Sequence, residues 1–177
     1  MPHYKTIIDL LMEELTEIRD LENKFLNILP QMLNAATDPS LRAALESSHH
    51  QLQNFLLAFD KVTLALKLPP RPNPDHLIRL YMGDNLRLLD GCSKYAADAA
   101  LISMALKMEH YLNAAYLNAC IHARMLTLDE ISDLLSSRLK NNGSLFKSPQ
   151  NATTLFMPDT EDGKEEATPI VSAGLAS

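Results

Sequence analysis

Apolar residues in the first part of the chain recur in steps of three and four: Tyr4, Ile7, Leu11, Leu15, Ile18, Phe25, Leu29 and Met32. One step is skipped, between Ile18 and Phe25, and Glu22 stands in the gap. A seam with a period near 3.5 predicts a long helix packed lengthwise against other helices, as in a bundle. Pro30 withdraws one helical donor and crowds the preceding turn, so a bend is expected there. Residues 35–40 read Ala-Ala-Thr-Asp-Pro-Ser, with Asp38 as a candidate N-cap and Pro39 at the first helical position. So short a connection forces the second helix to run antiparallel to the first.

The second helix is expected to continue to about Lys67, with Leu41, Leu45, Leu52, Leu56, Phe59 and Leu66 on its inner stripe. Residues 69–74 contain four prolines and cannot be helical. They lead to a shorter predicted helix, residues 76–90, which Gly91 is placed to end in a left-handed cap. A third long helix is expected over residues 96–124, with Ile102, Ala105, Leu112, Tyr116 and Ala119 as its inner line. The last helix is predicted to begin near Thr127, because Glu130 follows three residues later in the pattern of a capping box. It is expected to end around residues 140–143. Beyond that the chain loses periodicity and becomes rich in Pro, Thr, Ser, Asp and Glu. The expected fold class is therefore all-α: an antiparallel four-helix bundle over residues 1–142, with an extra short helix in the crossover. Residues 143–177 are expected to form a flexible C-terminal tail.

Composition narrows the function rather than the fold. The formal charge of -6 argues against a nucleic-acid partner, which would need a clustered basic footprint. No apolar run approaches the ~20 residues of a membrane span, and acids fall early in the N-terminal segment, so a cytoplasmic protein is expected. Cys92 and Cys120 lack CxxC spacing and read as reduced core or surface residues. Met104, Met108 and Met125 read as gap-filling core.

The informative residues are polar ones that interrupt apolar seams. Glu22 breaks the first seam, Glu109 breaks the line of Ala105, Leu112 and Tyr116, and Glu46 with His49 forms a Glu-x-x-His pair on the second helix. Buried lone carboxylates are costly, so these acids need partners. A metal cluster is one such partner. Residues three apart share a helix face, and Glu plus Glu-x-x-His is the ligand set of di-iron and di-manganese bundles. Pairing with Arg42, Lys107 or His110 is the plainer alternative. Glu22, Glu46, His49 and Glu109 are thus candidate metal ligands from three helices. After Asp133 the fourth helix reads Leu134-Leu-Ser-Ser-Arg-Leu-Lys-Asn-Asn142 and offers neither carboxylate nor histidine, while Asp129, Glu130 and Asp133 at its beginning read as acids favoured by the helix dipole.

Several segments resemble the YciE/YciF family of bacterial ferritin-like proteins. Asp98-Ala-Ala-Leu-Ile-Ser-Met-Ala-Leu-Lys-Met-Glu-His-Tyr111 is similar to that family's DAALIAAAQKVEHYE, and Leu45-Glu-Ser-Ser-His-His-Gln51 to its LEETHGQ. Leu29-Pro-Gln-Met, Ala35-Ala-Thr and Leu41-Arg-Ala-Ala-Leu-Glu46 look like its junction between the first two helices. The likeness spans about residues 5–140. It implies a ferritin-like bundle, a link to stress responses, a homodimer, and a metal site to which Glu22, Glu46, His49 and Glu109 correspond. Two departures weaken that site: Leu112 replaces the glutamate closing the EHYE motif, and Lys140-Asn-Asn142 replaces a run of glutamates. The expectation is an incomplete site holding iron or manganese at low occupancy. A structural or interaction module is favoured over an enzyme. The alternatives are a di-iron, peroxide- or oxygen-consuming oxidase and a mononuclear metal protein.

Overall fold

The computed structural model describes residues 6–68 and 91–141, together with Arg87 and Leu89. Four long helices run through the described residues: α1 (Ile7–Ala35), α2 (Pro39–Ala65), α3 (Lys94–Met125) and α4 (Asp129–Asn141). The predicted crossover helix lies outside the described residues except for Arg87 and Leu89, which are helical. The expected tail lies outside them as well.

Most of the seam residues predicted from spacing are core, while Ile7 and Leu66 are half-buried and Tyr4 lies outside the described residues. Leu11, Leu15, Ile18, Phe25, Leu29 and Met32 of α1 are buried, as are Leu41, Leu45, Leu52, Leu56 and Phe59 of α2. Ile102, Ala105, Leu112, Tyr116 and Ala119 line the buried side of α3. Met104 and Met108 join them, whereas Met125, at the end of α3, is exposed. Each fully buried Leu contributes about 2 kcal/mol, which is why a polar residue in these seams needs compensation.

Contacts between helices fix their directions. Thr37 meets Asp98, Glu22 meets Tyr116 and Glu14 meets Asn118, so numbering falls along α1 as it rises along α3. These two helices are antiparallel. Arg19 pairs with Asp60 at 3.3 Å, which sets α2 antiparallel to α1. Cys120 contacts Ser132 and Ser136, and α4 folds back along α3 as a helical hairpin.

The helix ends show where local chemistry operates. Asp38 accepts the Leu41 N–H at 2.7 Å as the N-cap of α2, with Pro39 next, as the sequence predicts. A capping box does form, but at the start of α1. The Thr6 hydroxyl accepts the Asp9 N–H and the Asp9 carboxylate accepts the Thr6 N–H. At Thr127 the expected box is absent, and α4 begins at Asp129 instead. Thr127 is committed to ending α3: it sits at φ 56°, and its hydroxyl donates to the Leu126 carbonyl. The Leu128 N–H reaches back to Ala123 O and the Thr127 N–H to Arg124 O, a Schellman motif. Lys67, at φ 51°, closes α2 in the same way, with Leu68 N–H on Thr63 O and Lys67 N–H on Leu64 O. Gly91, expected to be left-handed, does not adopt that conformation.

A buried carboxylate, guanidinium and phenol in the bundle core

Glu22 is fully buried at the middle of α1, where the heptad would place an apolar residue. Its partners come from two other helices. Arg138 of α4 donates to Glu22 Oε1 from Nε at 3.2 Å and from Nη2 at 3.1 Å. The Tyr116 hydroxyl of α3 donates to the same oxygen. The other oxygen, Oε2, is buried and has no hydrogen-bond partner among the described residues.

Aromatic rings close the site on the α2 side. The Arg138 guanidinium carbon lies 5.3 Å from the centroid of the Phe55 ring, within range of a cation–π contact. Phe55 meets Tyr116 edge to face at 5.7 Å and stacks on Phe59 at 5.2 Å. One carboxylate, one guanidinium and one phenol, drawn from three helices, are thus sealed against phenyl rings from the fourth. Burial pushes the Glu22 carboxyl above its ordinary range, against the opposing pull of Arg138 and the Tyr116 hydrogen bond. Burial and the neighbouring Glu22 charge hold the Tyr116 phenol well above its ordinary value. Burial also works against the Arg138 charge, but the adjacent Glu22 carboxylate outweighs it and raises the guanidinium further. Arg138 therefore stays a cation.

The four candidate metal ligands are not brought together. Glu22 faces Arg138 and Tyr116. Glu109 is buried on α3, seven residues and about 10 Å of helix before Tyr116. Glu46 is exposed on α2 and His49 is half-buried, its ring 6.0 Å from that of its exposed neighbour His50. Among the described residues no three His, Cys, Asp or Glu side chains are grouped so that they could hold a metal ion. A dinuclear centre needs bridging carboxylates around the ions. Here the carboxylate placed deepest in the core is already bonded to a cation, so the donor set does not fit that centre.

Arg138 is the residue that reasoning from sequence passed over. Its signal is nonetheless present. Ile131 and Leu135 are buried, and Arg138 continues their line at the next three-residue step. It interrupts the α4 seam as Glu22 interrupts that of α1. One acid and one base breaking two facing seams is the pattern of an internal ion pair. Tyr116, read as an inner-line residue of α3, acquires its polar role only through this contact.

A second polar cluster lies at the end of the bundle. Asp98, buried near the start of α3, accepts the Thr37 N–H at 2.8 Å, the Thr37 hydroxyl at 2.6 Å and the Asp38 N–H at 3.0 Å. It thereby fastens the α1–α2 turn to α3. Between α1 and α3 a half-open cleft of about 260 Å³ is lined by Glu14, Glu17, Tyr111, Ala114, Ala115 and Asn118. Its polar groups bond to one another, Tyr111 to Glu17 and Asn118 to Glu14.

The family model for a domain of unknown function, DUF892, matches residues 6–145. The chain belongs to that family. Among solved structures it is similar to YcfI, a candidate structural protein from Rhodopseudomonas palustris, with 26% identity and a TM-score of 0.73. That match covers 85% of this chain and 93% of the other. It is also similar to the E. coli stress protein YciF, with 21% identity, a TM-score of 0.75, and coverage of 86% and 95%. No curated protein matches. The ferritin-like, YciF-type bundle implied by the sequence motifs is therefore the fold of this chain. No helix among the described residues is long and apolar enough to cross a membrane.

Proposed function

We propose that this protein is a structural or interaction module of the YciF type, one whose bundle core is organised by an ion pair rather than by a metal centre. The observation behind this reading is the bond from Arg138 to Glu22: the deepest carboxylate carries a guanidinium 3.1 Å away. A divalent ion at Glu22 would have to displace a buried cation or sit beside it, and like charges in a low-dielectric core repel strongly. Oxidase chemistry at a two-metal site would also need further carboxylates near Glu22. The other acids of the candidate set, Glu46 and Glu109, are respectively exposed and two turns of helix away from Tyr116.

The stress association is carried over as part of this proposal from YciF, which is described as a stress protein. A cytoplasmic homodimer is proposed with it, on the apolar residues that α1 and α3 leave exposed, Ile8, Leu10, Leu117 and Ile121. The deciding measurement is iron and manganese content per chain in protein purified without chelator, paired with an iron-oxidation assay. Less than one metal per chain and no turnover are expected. Two tightly held irons with oxidation activity would restore the oxidase reading.

A further inference from the structure

Glu22, Tyr116 and Phe55 together form a receptor with a definite shape. The carboxylate oxygen takes two N–H donors from one edge of a planar cation, at 3.2 and 3.1 Å. The Phe55 ring lies 5.3 Å from the cation's central carbon, and the Tyr116 hydroxyl holds the carboxylate oxygen from α3. Such a combination suits a guanidinium better than an ammonium, because only the former pairs planar edge donors with a face that packs on an aromatic ring. Divalent cations would require several oxygen ligands instead.

We infer that Glu22, Tyr116 and Phe55 form a guanidinium-selective cation site within the bundle, filled by the chain's own Arg138. This rests on the proposed reading of the core as free of a metal centre, and extends it by naming the cation class the site accepts. Arg138 works as a tethered ligand. It crosses from α4 to α1, helices that are not neighbours in the chain, and holds α4 at the level of Phe55. Among the described residues, the other side-chain hydrogen bonds between α4 and its neighbours run to α3, through Cys120 and Arg124 to Ser132 and Ser136.

The test is chemical rescue. Arg138→Ala removes the tethered cation and leaves the carboxylate and phenol in place. Its thermal midpoint is expected to fall by roughly 10 °C, the size of loss that follows when one member of a buried pair is deleted. Methylguanidinium at tens of millimolar should raise the midpoint of Arg138→Ala by about 3 °C or more through binding to the folded state. Methylammonium and manganese(II) should not raise it, and wild type should gain nothing from any of the three. Rescue should vanish in Glu22→Leu/Arg138→Ala. Equal rescue by methylammonium, or none by methylguanidinium, overturns the selectivity. If Arg138→Ala does not fold, the doubly apolar Glu22→Leu/Arg138→Met decides the matter. A midpoint close to wild type supports charge compensation as the role of Arg138, and a loss as large as that of the single variants overturns it. Two irons bound by wild type would refute the metal-free reading without touching the rescue result, so the two failures are distinguishable.

Discussion

The two helical hairpins of this bundle are closed and anchored in different ways. The α1–α2 hairpin is turned by local chemistry: Asp38 caps α2 and Pro39 starts it. A single carboxylate, Asp98, then clamps the turn through two backbone N–H groups and a hydroxyl, all neutral donors. The α3–α4 hairpin is turned by a β-branched residue, Thr127, in the left-handed region, where Cβ crowds the backbone. Its anchor to the rest of the bundle is ionic and deep, from Arg138 to Glu22. Asp98 uses both oxygens, whereas Glu22 concentrates three donors on one oxygen and leaves the other buried without a partner. The first hairpin is fastened by one carboxylate whose donors are all neutral. The second joins a buried acid to a buried cation.

That contrast is broken most severely by deleting one charge. Glu22→Leu strands the Arg138 guanidinium in the core, and a loss of about 3–5 kcal/mol in urea unfolding is expected. Glu22→Leu/Arg138→Met should recover most of it, because the cost lies in the uncompensated ion and not in lost packing. If the double variant is as unstable as the single one, the ionic account of the second hairpin fails.

At the first hairpin, Asp98→Ala is expected to cost about 2 kcal/mol, less than the ion pair. It deprives neutral donors of an acceptor, and those of the exposed Thr37 can turn to water. A cost equal to that of Glu22→Leu would erase the distinction between the hairpins.

Relief of backbone strain sharpens the comparison from the other side. Thr127→Gly should stabilise by about 0.5–1 kcal/mol, since glycine adopts φ 56° freely while losing some unfolded-state entropy. Pro39→Ala, in the α1–α2 hairpin, should give no such gain, because proline already fits the first helical position.

The smallest expected effect is a pH dependence. Burial raises the Glu22 carboxyl in the folded state, so the unfolded chain releases that proton at lower pH than the folded one. The stability contributed by this group is fully present below its ordinary value of 4.5 and is lost as pH rises through the higher folded value. Unfolding curves of wild type and Glu22→Gln across that range should show wild type losing ground to the variant as pH rises. Parallel curves would mean that burial does not govern the group.

Much of the fold was legible in the residues alone. The three- and four-residue steps of Leu11, Leu15 and Ile18, or of Leu41 and Leu45, specify buried helix faces because one apolar stripe must be covered wherever it repeats at the helical period. Asp38-Pro39 was readable for the same reason that caps are: the donor and acceptor lie within one turn of each other. The break in the α1 seam at Glu22 was equally visible. Its meaning was not. The sequence left Glu22 open to a metal, to Arg42, to Lys107 or to His110, because spacing along one helix says nothing about which side chain arrives from another. Arg138 lies 116 positions away, and only the packing of α4 against α3 brings its guanidinium to Glu22. Thr127 was misread on similar grounds. A Thr-x-x-Glu pattern supports a capping box in isolation, but the closure of α3 claimed that residue first. Periodicity and caps are local, so the chain itself decided the helices, their buried faces and the first turn. The partner of the buried acid, and with it the chemistry open to the core, was decided by tertiary packing, because compensating a buried charge is a property of the whole assembled interior.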